Sequence, residues 1–527
     1  MYKILVSDPL HPVGLAMLRE SGHEVTELPP ERRPELPELV AHYDALVVRS
    51  GTKVTADILA AGAGHLKVVG RAGVGVDNVD VKAATEHGIL VINAPTANLM
   101  SATEHTFALM LAVARRVAVA DKQMKEGVWD RKAHVGSELQ GKTLGIIGFG
   151  RIGQRVARRA QAFDMTTVAF DPFIDAQTIQ RFDTEALDLD TLLGRADFVT
   201  LHTPLSESTR NLLDTDKLAL MKDTAVIINC GRGGVLDEGA LLAALEAGTV
   251  GGAGIDVYAS EPPTDFALAQ HPRVVATPHL GASTHEAQER ISTETAKMVI
   301  AALDGSLAVT AVNLPFRPTG VTGEPYLRLG ETLGQIAWGL LGDAPLNRLR
   351  VELAGIDDAL HTPITVAAVK GALEPVLAEA VNYVNAERVA AERDVAIERL
   401  SRTQPSDYPH LVQVHLEAGD RSVTVAGTLF HDDDLRVVSI DGFPLEFRPK
   451  DVLLVVRNRD VPGVVGRVGT VLGDATINIA EIHLARRPGS DQALAIVRLD
   501  ARPSDGVIAA IAGLEPVVLT QLVDLSQ

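Results

Sequence analysis

Short apolar runs alternate with longer amphipathic stretches at the start of the chain. The apolar runs are KILVSD, EVTEL, DALVVRS, LKVVGRAG and ILVINAP, and the helix-like stretch VGLAMLRESG separates the first two. This rhythm is typical of parallel strands joined by crossover helices. It predicts an α/β domain over residues 1–98.

A helical pattern follows from about Ser101 to Gly127. Ser101 is suited to cap this helix, and Glu104 stands three residues later, as in a capping box. We therefore predict one long helix that leads the chain into a second domain.

The alternation restarts at Lys142 with the runs TLGIIG, TTVAFD, DFVTLH, TAVIINC, GGAGIDV and RVVATPH. These runs predict a second doubly wound sheet, in a domain over residues 99–283. The helical segment after Thr284 is expected to return the chain to the first domain, which then comprises residues 1–98 and 284–312.

The pattern changes again after Asn313, where NLPFRPTGVTGEP is typical of a linker. Residues 313–446 combine the helical stretch GALEPVLAEAVNYVNAERVAAERD with strand-like HLVQVHLEA and RSVTVAGTLF, which predicts an α+β domain. Residues 451–527 read in the order βαββαβ, which predicts a separate small domain with a ferredoxin-like fold.

Composition narrows the possible functions. A chain of 527 residues has room for three or four domains, and its net charge of −19 repels polyphosphates, so nucleic acid is not an expected partner. The single cysteine, Cys230, excludes an intrachain disulfide and a cysteine-built zinc site, and no metal is expected. The chain starts with a strand-like segment and has no apolar stretch long enough to span a bilayer. We therefore expect a cytoplasmic protein with no membrane partner.

A glycine-rich turn follows the first strand of the second sheet, in LGIIGFGRIGQRVA. Gly148 permits the tight turn, Gly150 lets the backbone approach a pyrophosphate, and Gly153 lets the next helix pack close to the strand. Asp171 ends the following strand, where a carboxylate binds the ribose hydroxyls and repels the extra phosphate of NADP. The sequence predicts NAD as the cofactor, although Asp171 could instead cap the turn that begins at Pro172.

Three segments that follow strands of the same sheet, NCGRGGVLDE, GIDVYASEPP and ATPHLGAS, each carry one reactive side chain. His279 offers an imidazole, which can take a hydroxyl proton near neutral pH, and Glu261 offers a carboxylate to hold it. Arg232 offers a guanidinium that can bind a carboxylate and polarise the neighbouring oxygen. Singly, these residues also fit a packed histidine, a solvated acid and a turn arginine. Together they predict the oxidation of a 2-hydroxy acid.

Through GFGRIG, NCGRGGVLDE, DVYASEP and TPHLGAS, the chain resembles the D-isomer-specific 2-hydroxyacid dehydrogenases over residues 1–312. The resemblance implies a Rossmann-type nucleotide-binding domain, a flavodoxin-like substrate domain, and Arg232, Glu261 and His279 as catalytic residues. It also implies further cofactor contacts, at Arg151, Ile152, Asp171, Thr203, Cys230, Gly231, Asp256 and Gly281. Cys230 has no nucleophilic role in this interpretation.

Cationic side chains follow strands of the first sheet in VVRSGTKVT and VGRAGVGVDNVD, and WDRKAH adds two more. Around one pocket of an acidic protein, they suit a substrate with more negative charge than a lone carboxylate, although each could instead form a surface ion pair. The candidate substrate-binding residues are Arg49, Ser50, Arg71, Gly73, Arg131 and Lys132.

These stretches and the two additional domains resemble the long, actinobacterial type within the family. The resemblance implies oxidation of 3-phospho-D-glycerate to 3-phosphohydroxypyruvate, the first step of L-serine biosynthesis. It also implies that residues 313–446 form an intervening domain with a role in assembly.

The stretch VVRNRDVPGVVGRVGTVLGDATINIAEIH resembles an ACT domain, a module that binds amino acids between paired copies. The resemblance implies a homo-oligomer with L-serine as effector, and Asp460 and Asn478 as candidate contacts. Asp460 could pair with the ammonium group, and amides at the start of the following helix could bind the carboxylate. The alternative is structural, with Asp460 as a helix N-cap and Asn478 as a turn residue.

Two other functions remain open from the sequence. A glyoxylate or hydroxypyruvate reductase shares the three catalytic residues but has no need of a terminal regulatory domain. A non-catalytic, NAD-sensing binding protein, like the related transcriptional corepressors, shares the fold but needs a peptide-docking surface, for which the sequence offers no signature. A dehydrogenase under feedback control by L-serine fits the whole chain best.

Overall fold

The chain divides into two compact units. One comprises Met1–Pro9, Ala16–Asn93 and Thr295–Gln527, and the other comprises Leu10–Leu15 and Ala94–Glu294. The computed structural model describes residues 1–307, 310–317, 323–342, 344–375, 377, 381–402, 407–431, 433–487 and 489–526. The predicted linker residues 318–322, and residues 376 and 378–380 of the predicted helical stretch, lie outside these ranges.

The first sheet is parallel and has the strand order β2-β1-β3-β4-β5, which is the flavodoxin-like order predicted for this region. Its elements are β1 (Lys3–Val6), α1 (Pro12–Glu20), β2 (Glu24–Glu27), α2 (Leu36–Leu39), β3 (Ala45–Val48), α3 (Ala56–Ala61), β4 (Val68–Arg71), α4 (Val81–Glu86) and β5 (Leu90–Asn93). All four residues of β3 are buried, because both faces of such a sheet are covered.

The second sheet is also parallel, with the order β12-β11-β10-β9-β6-β7-β8, which extends the Rossmann order by one strand. Two helices, α5 (Leu99–Ala114) and α6 (Val117–Lys125), precede it. Its own elements are β6 (Thr143–Ile147), α7 (Arg151–Gln161), β7 (Thr166–Phe170), α8 (Ala176–Gln180), β8 (Glu185–Ala186), α9 (Leu189–Arg195), β9 (Phe198–Leu201), α10 (Thr215–Leu218), β10 (Val226–Asn229), α11 (Glu238–Ala247), β11 (Gly252–Ile255), α12 (Ala267–Gln270) and β12 (Val274–Ala276).

The prediction of one long helix capped by Ser101 is wrong. The helix starts earlier, with Asn98 as the N-cap of α5, and Ser101 lies inside it. The hydroxyl of Ser101 is buried and donates to the carbonyl of Gly281 at 2.6 Å. The helix also stops at Ala114, because Arg116 adopts a left-handed conformation (φ +53°) that an α-helix cannot continue.

The third sheet is mixed, with the order β14-β13-β15-β16-β17-β18, and the predicted α+β character of this region is confirmed. In α14, Gly330 and Gly334 allow close packing on α15, since a Cβ at either would lie within 2.7 Å of an α15 carbonyl oxygen. The elements from the end of the second sheet are α13 (His285–Leu303), α14 (Glu324–Leu341), β13 (Arg348–Ala354), α15 (His361–Leu373), α16 (Ala386–Glu392), β14 (Ala396–Arg402), β15 (Leu411–Ala418), β16 (Arg421–Phe430), β17 (Asp434–Ile440) and β18 (Phe443–Phe447).

The fourth sheet is antiparallel, with the order β20-β21-β19-β22. Its elements are β19 (Val452–Arg459), α17 (Val464–Asp474), β20 (Ile479–Arg486), β21 (Gln492–Leu499), α18 (Asp505–Ala512) and β22 (Val517–Asp524). This βαββαβ order confirms the ferredoxin-like fold predicted from the sequence.

The four predicted domains each contain one of these sheets, but their boundaries stay predictions. The two compact units group the sheets differently, with the first, third and fourth in one unit and the second in the other. None of the helices in the described ranges has the length and apolar character needed to cross a bilayer.

Candidate active site

The three segments that carry the predicted catalytic side chains leave one edge of the second sheet. Arg232 follows β10, Glu261 follows β11 and His279 follows β12, and these strands are neighbours. The glycine-rich turn follows β6 at the same edge, two strands from β10. The carboxyl ends of parallel strands are where open α/β sheets bind ligands, so the sheet brings the predicted cofactor turn and the predicted catalytic residues to one edge.

Glu261 and His279 form a hydrogen-bonded pair. Nδ1 of His279 lies 2.6 Å from Oε2 of Glu261, and the side chains remain 46% and 39% exposed. The other carboxylate oxygen of Glu261 accepts a hydrogen bond from the Tyr258 amide at 3.2 Å. Because Nδ1 donates to the carboxylate, Nε2 is the ring nitrogen whose lone pair can accept a proton from a substrate.

The electrostatics of this pair favour an ionised carboxylate. Partial burial raises the pKa of Glu261, but the hydrogen bond and charge of His279 outweigh it, so the pKa lies below its usual value. Glu261 can therefore stabilise the positive charge that the imidazole acquires when it takes a proton.

Asp256, which follows β11, organises the segment that carries His279. Its carboxylate is fully buried, and its backbone carbonyl accepts a hydrogen bond from the His279 amide at 2.8 Å. The carboxylate accepts four hydrogen bonds, from His105 Nε2 (3.1 Å), Thr277 Oγ1 (2.6 Å), the Leu280 amide (2.7 Å) and the Gly281 amide (2.8 Å). Asp256 thus ties the end of β11 to the turn after β12.

The hydrogen bonds to Asp256 also determine its charge state. Burial raises the pKa of this carboxyl, but hydrogen bonds from His105, Thr277 and the Leu280 amide outweigh it and hold the pKa below its usual value. A cofactor contact by Asp256 stays a prediction, whereas its hydrogen bonds give it a positioning role.

Sequence reasoning missed His105, which lies on α5 and reaches both Asp256 and Thr277. The sequence contains only a weak indication of this role, because a single histidine in an apolar helix fits a packed core position equally well. The helix that was predicted as a connection therefore also supports the turn that carries His279.

Two glycines let the Arg232 segment approach its neighbours. A Cβ at Gly231 would lie 2.8 Å from the carbonyl oxygen of Leu201, and one at Gly233 would lie 1.8 Å from that of Tyr258. Nη1 of Arg232 donates to the Gly231 carbonyl at 2.8 Å, which folds the side chain back over its own turn. The predicted cofactor contact Gly231 is therefore required for packing as well.

The glycine-rich turn has the tight turn and the close helix packing predicted for it, and its contact with a pyrophosphate stays a prediction. Gly148 has φ +90° and a Cβ there would lie 2.7 Å from the His202 carbonyl oxygen, so the turn requires glycine. A Cβ at Gly153 would lie 2.3 Å from the Gly148 carbonyl oxygen, which reflects close packing of α7 on the strand. At Gly150 a Cβ would meet no described atom within 4 Å, which leaves room for a pyrophosphate to approach the backbone.

Asp171 makes the structural contact considered for it from the sequence, and its contact with the ribose stays a prediction. Its carboxylate caps the following turn by accepting from the Phe173 amide at 2.8 Å, and it also accepts from the Phe149 amide of the glycine-rich turn at 2.8 Å. The hydroxyl of Thr203 is buried and has no hydrogen-bond partner among the described residues, so it is available to bind a ligand. These observations fit NAD.

Cys230 is buried, and its predicted cofactor contact stays a prediction. Burial, reinforced by the charge of Asp256, raises the pKa of the thiol to about 12. The side chain therefore stays protonated and unreactive near neutral pH.

The other predicted cofactor contacts differ in accessibility. Arg151 is exposed and Ile152 is half-buried in the first turn of α7, where amides face an anion. Gly281 is buried, and both its amide and its carbonyl already bond to protein groups, Asp256 and Ser101. Cofactor contact by these three residues stays a prediction.

The predicted substrate-binding residues of the first sheet follow two neighbouring strands. Arg49 and Ser50 come directly after β3, and Arg71 ends β4. A Cβ at Gly73 would lie 1.6 Å from Nη1 of Arg71, so glycine leaves the space that this guanidinium occupies. In the other unit, Arg131 and Lys132 are exposed between α6 and β6.

The terminal domain contains a cavity of about 550 Å³ whose lining includes Asp460 and the start of α17. Asp460 forms an ion pair with Arg486 at 2.7 Å, and the N-cap of α17 is Gly463, so the alternative of Asp460 as N-cap is wrong. The described lining does not include Asn478, whose amide donates to Asp500 at 2.6 Å. The structure brings the first of the two predicted effector contacts to the cavity, but not the second.

Family models match two parts of the chain. Residues 107–281 match the D-isomer specific 2-hydroxyacid dehydrogenase NAD binding domain, and residues 323–441 match the D-3-phosphoglycerate dehydrogenase intervening domain. The first match contains the glycine-rich turn and Arg232, Glu261 and His279, so NAD is the cofactor.

Curated relatives match over nearly the whole chain. D-3-phosphoglycerate dehydrogenase of Synechocystis sp. is 41% identical over 97% of this chain and 92% of the relative. The enzymes of that name from Bacillus subtilis and Mycobacterium tuberculosis are 39% and 40% identical, over 100% and 99% of both chains respectively.

Solved structures match the first part of the chain. D-lactate dehydrogenase from Aquifex aeolicus, complexed with NAD and lactic acid, is 28% identical with a TM-score of 0.51, over 59% of this chain and 98% of that one. NAD-dependent formate dehydrogenase from Staphylococcus aureus, in complex with NAD, is 31% identical with a TM-score of 0.52, over 57% of this chain and 96% of that one.

Proposed function

We infer that this chain, which belongs to the D-isomer-specific 2-hydroxyacid dehydrogenases and within them to the D-3-phosphoglycerate dehydrogenases, oxidises 3-phospho-D-glycerate to 3-phosphohydroxypyruvate with NAD. This reaction is the first step of L-serine biosynthesis. The observation that carries the conclusion is the His279–Glu261 pair at the sheet edge that also carries the glycine-rich turn.

The three residues at that edge divide the chemistry between them. Nε2 of His279 takes the proton from the C2 hydroxyl, and Glu261 stabilises the imidazolium that results. The guanidinium of Arg232 binds the substrate carboxylate and polarises the C2 oxygen. Bound NAD supplies the acceptor for the hydride that leaves C2. Its site comprises the amides of the glycine-rich turn, the Asp171 carboxylate and the Thr203 hydroxyl.

The phosphate of the substrate calls for additional cations in a chain whose net charge is −19. We assign Arg49 and Arg71 this role, because they lie at the carboxyl ends of neighbouring strands of the first sheet, Arg49 directly after β3 and Arg71 as the last residue of β4. Gly73 leaves room for the Arg71 guanidinium. For Arg131 and Lys132, which are exposed, a role in substrate binding rests on charge alone.

The test of the proposed function is NADH formation with 3-phospho-D-glycerate, lactate and glycerate, together with NADH consumption with glyoxylate, in parallel assays. A preference for the phosphorylated acid supports the proposal. A preference for glyoxylate would identify a reductase instead. No turnover on any of these acids would indicate a non-catalytic binding protein of the same fold.

Asp171 is expected to select NAD over NADP. Asp171→Ala should reduce the ratio of kcat/KM for NAD to that for NADP by about tenfold or more, because it removes the carboxylate that repels the extra phosphate. Asp175→Ala is the matched control, since Asp175 is a nearby exposed acid that caps α8 instead. An unchanged ratio in Asp171→Ala contradicts the ribose assignment.

We also propose that L-serine binds the cavity of the terminal domain, which implies feedback control in a homo-oligomer in the cytoplasm. Asp460 lines this cavity beside the amides that start α17, an arrangement suited to an ammonium and a carboxylate group. The cavity therefore offers partners for both charged groups of an amino acid.

L-serine is accordingly expected to slow the wild type, and Asp460→Ala to require about tenfold more serine for the same effect. Asp505→Ala, in the first turn of α18 of the same domain, is the control. Turnover that serine does not change would remove the feedback proposal and leave the catalytic one intact.

A further inference from the structure

Two side chains clamp the loop that follows β3 of the first sheet, here called the Arg49–Thr52 loop. We propose that Asp8 and Asn78 are positioning residues that hold this loop, and with it Arg49 and Arg71, in the geometry that binds the phosphorylated substrate. The proposal rests on the proposed function, and it adds two residues that the motifs of the sequence did not single out.

Asp8 holds the amide groups of the loop. It follows β1, its side chain is only 3% exposed, and its Oδ2 accepts hydrogen bonds from the amides of Arg49 at 2.6 Å and Thr52 at 3.1 Å. Its other oxygen, Oδ1, pairs with Nη2 of Arg33 at 2.5 Å. A carboxylate buried this deeply is stable only when such donors surround it, so the loop cannot move away without exposing an unpaired charge.

Asn78 holds the carbonyl groups of the same two residues. Its Nδ2 donates to the carbonyl oxygen of Arg49 at 2.7 Å and to that of Thr52 at 2.6 Å. Its side-chain oxygen accepts a hydrogen bond from Nε of Arg71 at 3.3 Å. One amide side chain therefore joins the backbone of the loop to a second predicted substrate cation.

The two side chains hold the same two residues, Asp8 through their backbone amides and Asn78 through their backbone carbonyls. Ser50 and Gly51, which lie between Arg49 and Thr52, are exposed. A Cβ at Gly51 would lie 2.6 Å from Oδ1 of Asp8, so the loop fits closely against the carboxylate. A rigid, exposed turn with a cation beside it is a preorganised anion site.

Asp8 and Asn78 would form the same hydrogen bonds if their role were only to stabilise the fold. Another strand-end carboxylate of the same sheet provides a control for that alternative. Asp44, which precedes β3 at its opposite end, accepts a backbone hydrogen bond from the Lys3 amide at 2.8 Å. Asp44 has no hydrogen bond to the Arg49–Thr52 loop in the described structure. It is therefore a matched control for loss of a strand-end carboxylate.

The experiment compares Asp8→Asn, Asn78→Ser and Asp44→Asn in steady-state kinetics. For the first two, we expect KM for 3-phospho-D-glycerate to rise about 10- to 100-fold, because small displacements of binding groups have effects of this size. KM for NAD should stay constant and kcat should change by less than about threefold, since the loop binds substrate and performs no proton transfer. Asp44→Asn should leave all three values unchanged.

Hydrogen exchange at the Arg49 and Thr52 amides provides a readout that needs no turnover. It should accelerate in Asp8→Asn and in Asn78→Ser, but not in Asp44→Asn. Unchanged exchange, or faster exchange with an unchanged substrate KM, overturns the inference. If the wild type does not oxidise 3-phospho-D-glycerate, the proposed function fails, and the exchange rates still decide whether the clamp exists.

Discussion

His279→Ala is expected to lower kcat by about 10²- to 10⁴-fold, the range observed when a general base is lost. The imidazole at this position is partly exposed, held by Glu261 at 2.6 Å, and aligned so that its second nitrogen can take the substrate proton. The described hydrogen bonds of His279 go to Glu261, Asp256 and Thr277 and none goes to the glycine-rich turn, so affinity for NADH should remain close to the wild type.

The measurement is kcat in the oxidative direction together with a fluorescence titration of NADH. His285→Ala is the matched control, because His285 is an exposed histidine six residues further along, at the start of α13. A variant that retains the wild-type rate would refute the assignment of His279 as base. Loss of NADH binding in proportion to the loss of rate would instead indicate that the turn had collapsed.

Asp256→Asn is expected to lower both stability and turnover. The carboxylate is fully buried and accepts four hydrogen bonds, so its loss should reduce the free energy of unfolding by about 3 kcal/mol. Two of the four donors are amides of the turn that follows His279, so kcat should fall by about 100-fold as that turn shifts. Asp265→Asn, an exposed acid on the neighbouring segment, should change neither quantity.

The stabilisation by Asp256 has a defined pH dependence. The folded-state pKa of this carboxyl is held below its unfolded value, so the folded protein favours the ionised form. Its contribution is complete above about pH 4, the unfolded pKa of an aspartate, and is lost as the pH falls through the lower folded value. Urea unfolding at several acidic pH values should therefore show the wild type approaching Asp256→Asn in stability. A constant difference down to the lowest pH would contradict this account.

Regular elements with long apolar runs were predictable from the sequence. All eleven apolar runs named for the first two sheets correspond to strands. Most of these strands are buried on both faces and so need an apolar segment, whereas β2 lies at the edge of its sheet and has no buried residue. The strand β8 was not predicted, because a segment of two residues is too short to show a periodic pattern. The cap at Ser101 was misplaced because serine followed by glutamate fits a capping box equally well when it lies one turn inside a helix.

The residues proposed to carry the chemistry stand in motifs that the sequence shows, whereas the residues that support them do not. Arg232, Glu261 and His279 each stand in a distinctive motif after a strand, and the parallel sheet brings the ends of those strands to one edge. His105 and Asp8 act through contacts with residues 151 and 41 positions away in the chain. No local pattern encodes such partners, so these residues emerge only when the tertiary structure is known.

The backbone conformation at His279 has a consequence for any redesign that aims to stabilise this protein. Its φ of +56° lies in the left-handed region, which glycine and asparagine adopt most readily. A histidine in this conformation lowers the stability of the fold by about 1 kcal/mol. A redesign that ranked sequences by folding energy alone would tend to replace this imidazole, and with it the proposed base. The strain at this turn is thus the stability cost of placing a histidine at this position.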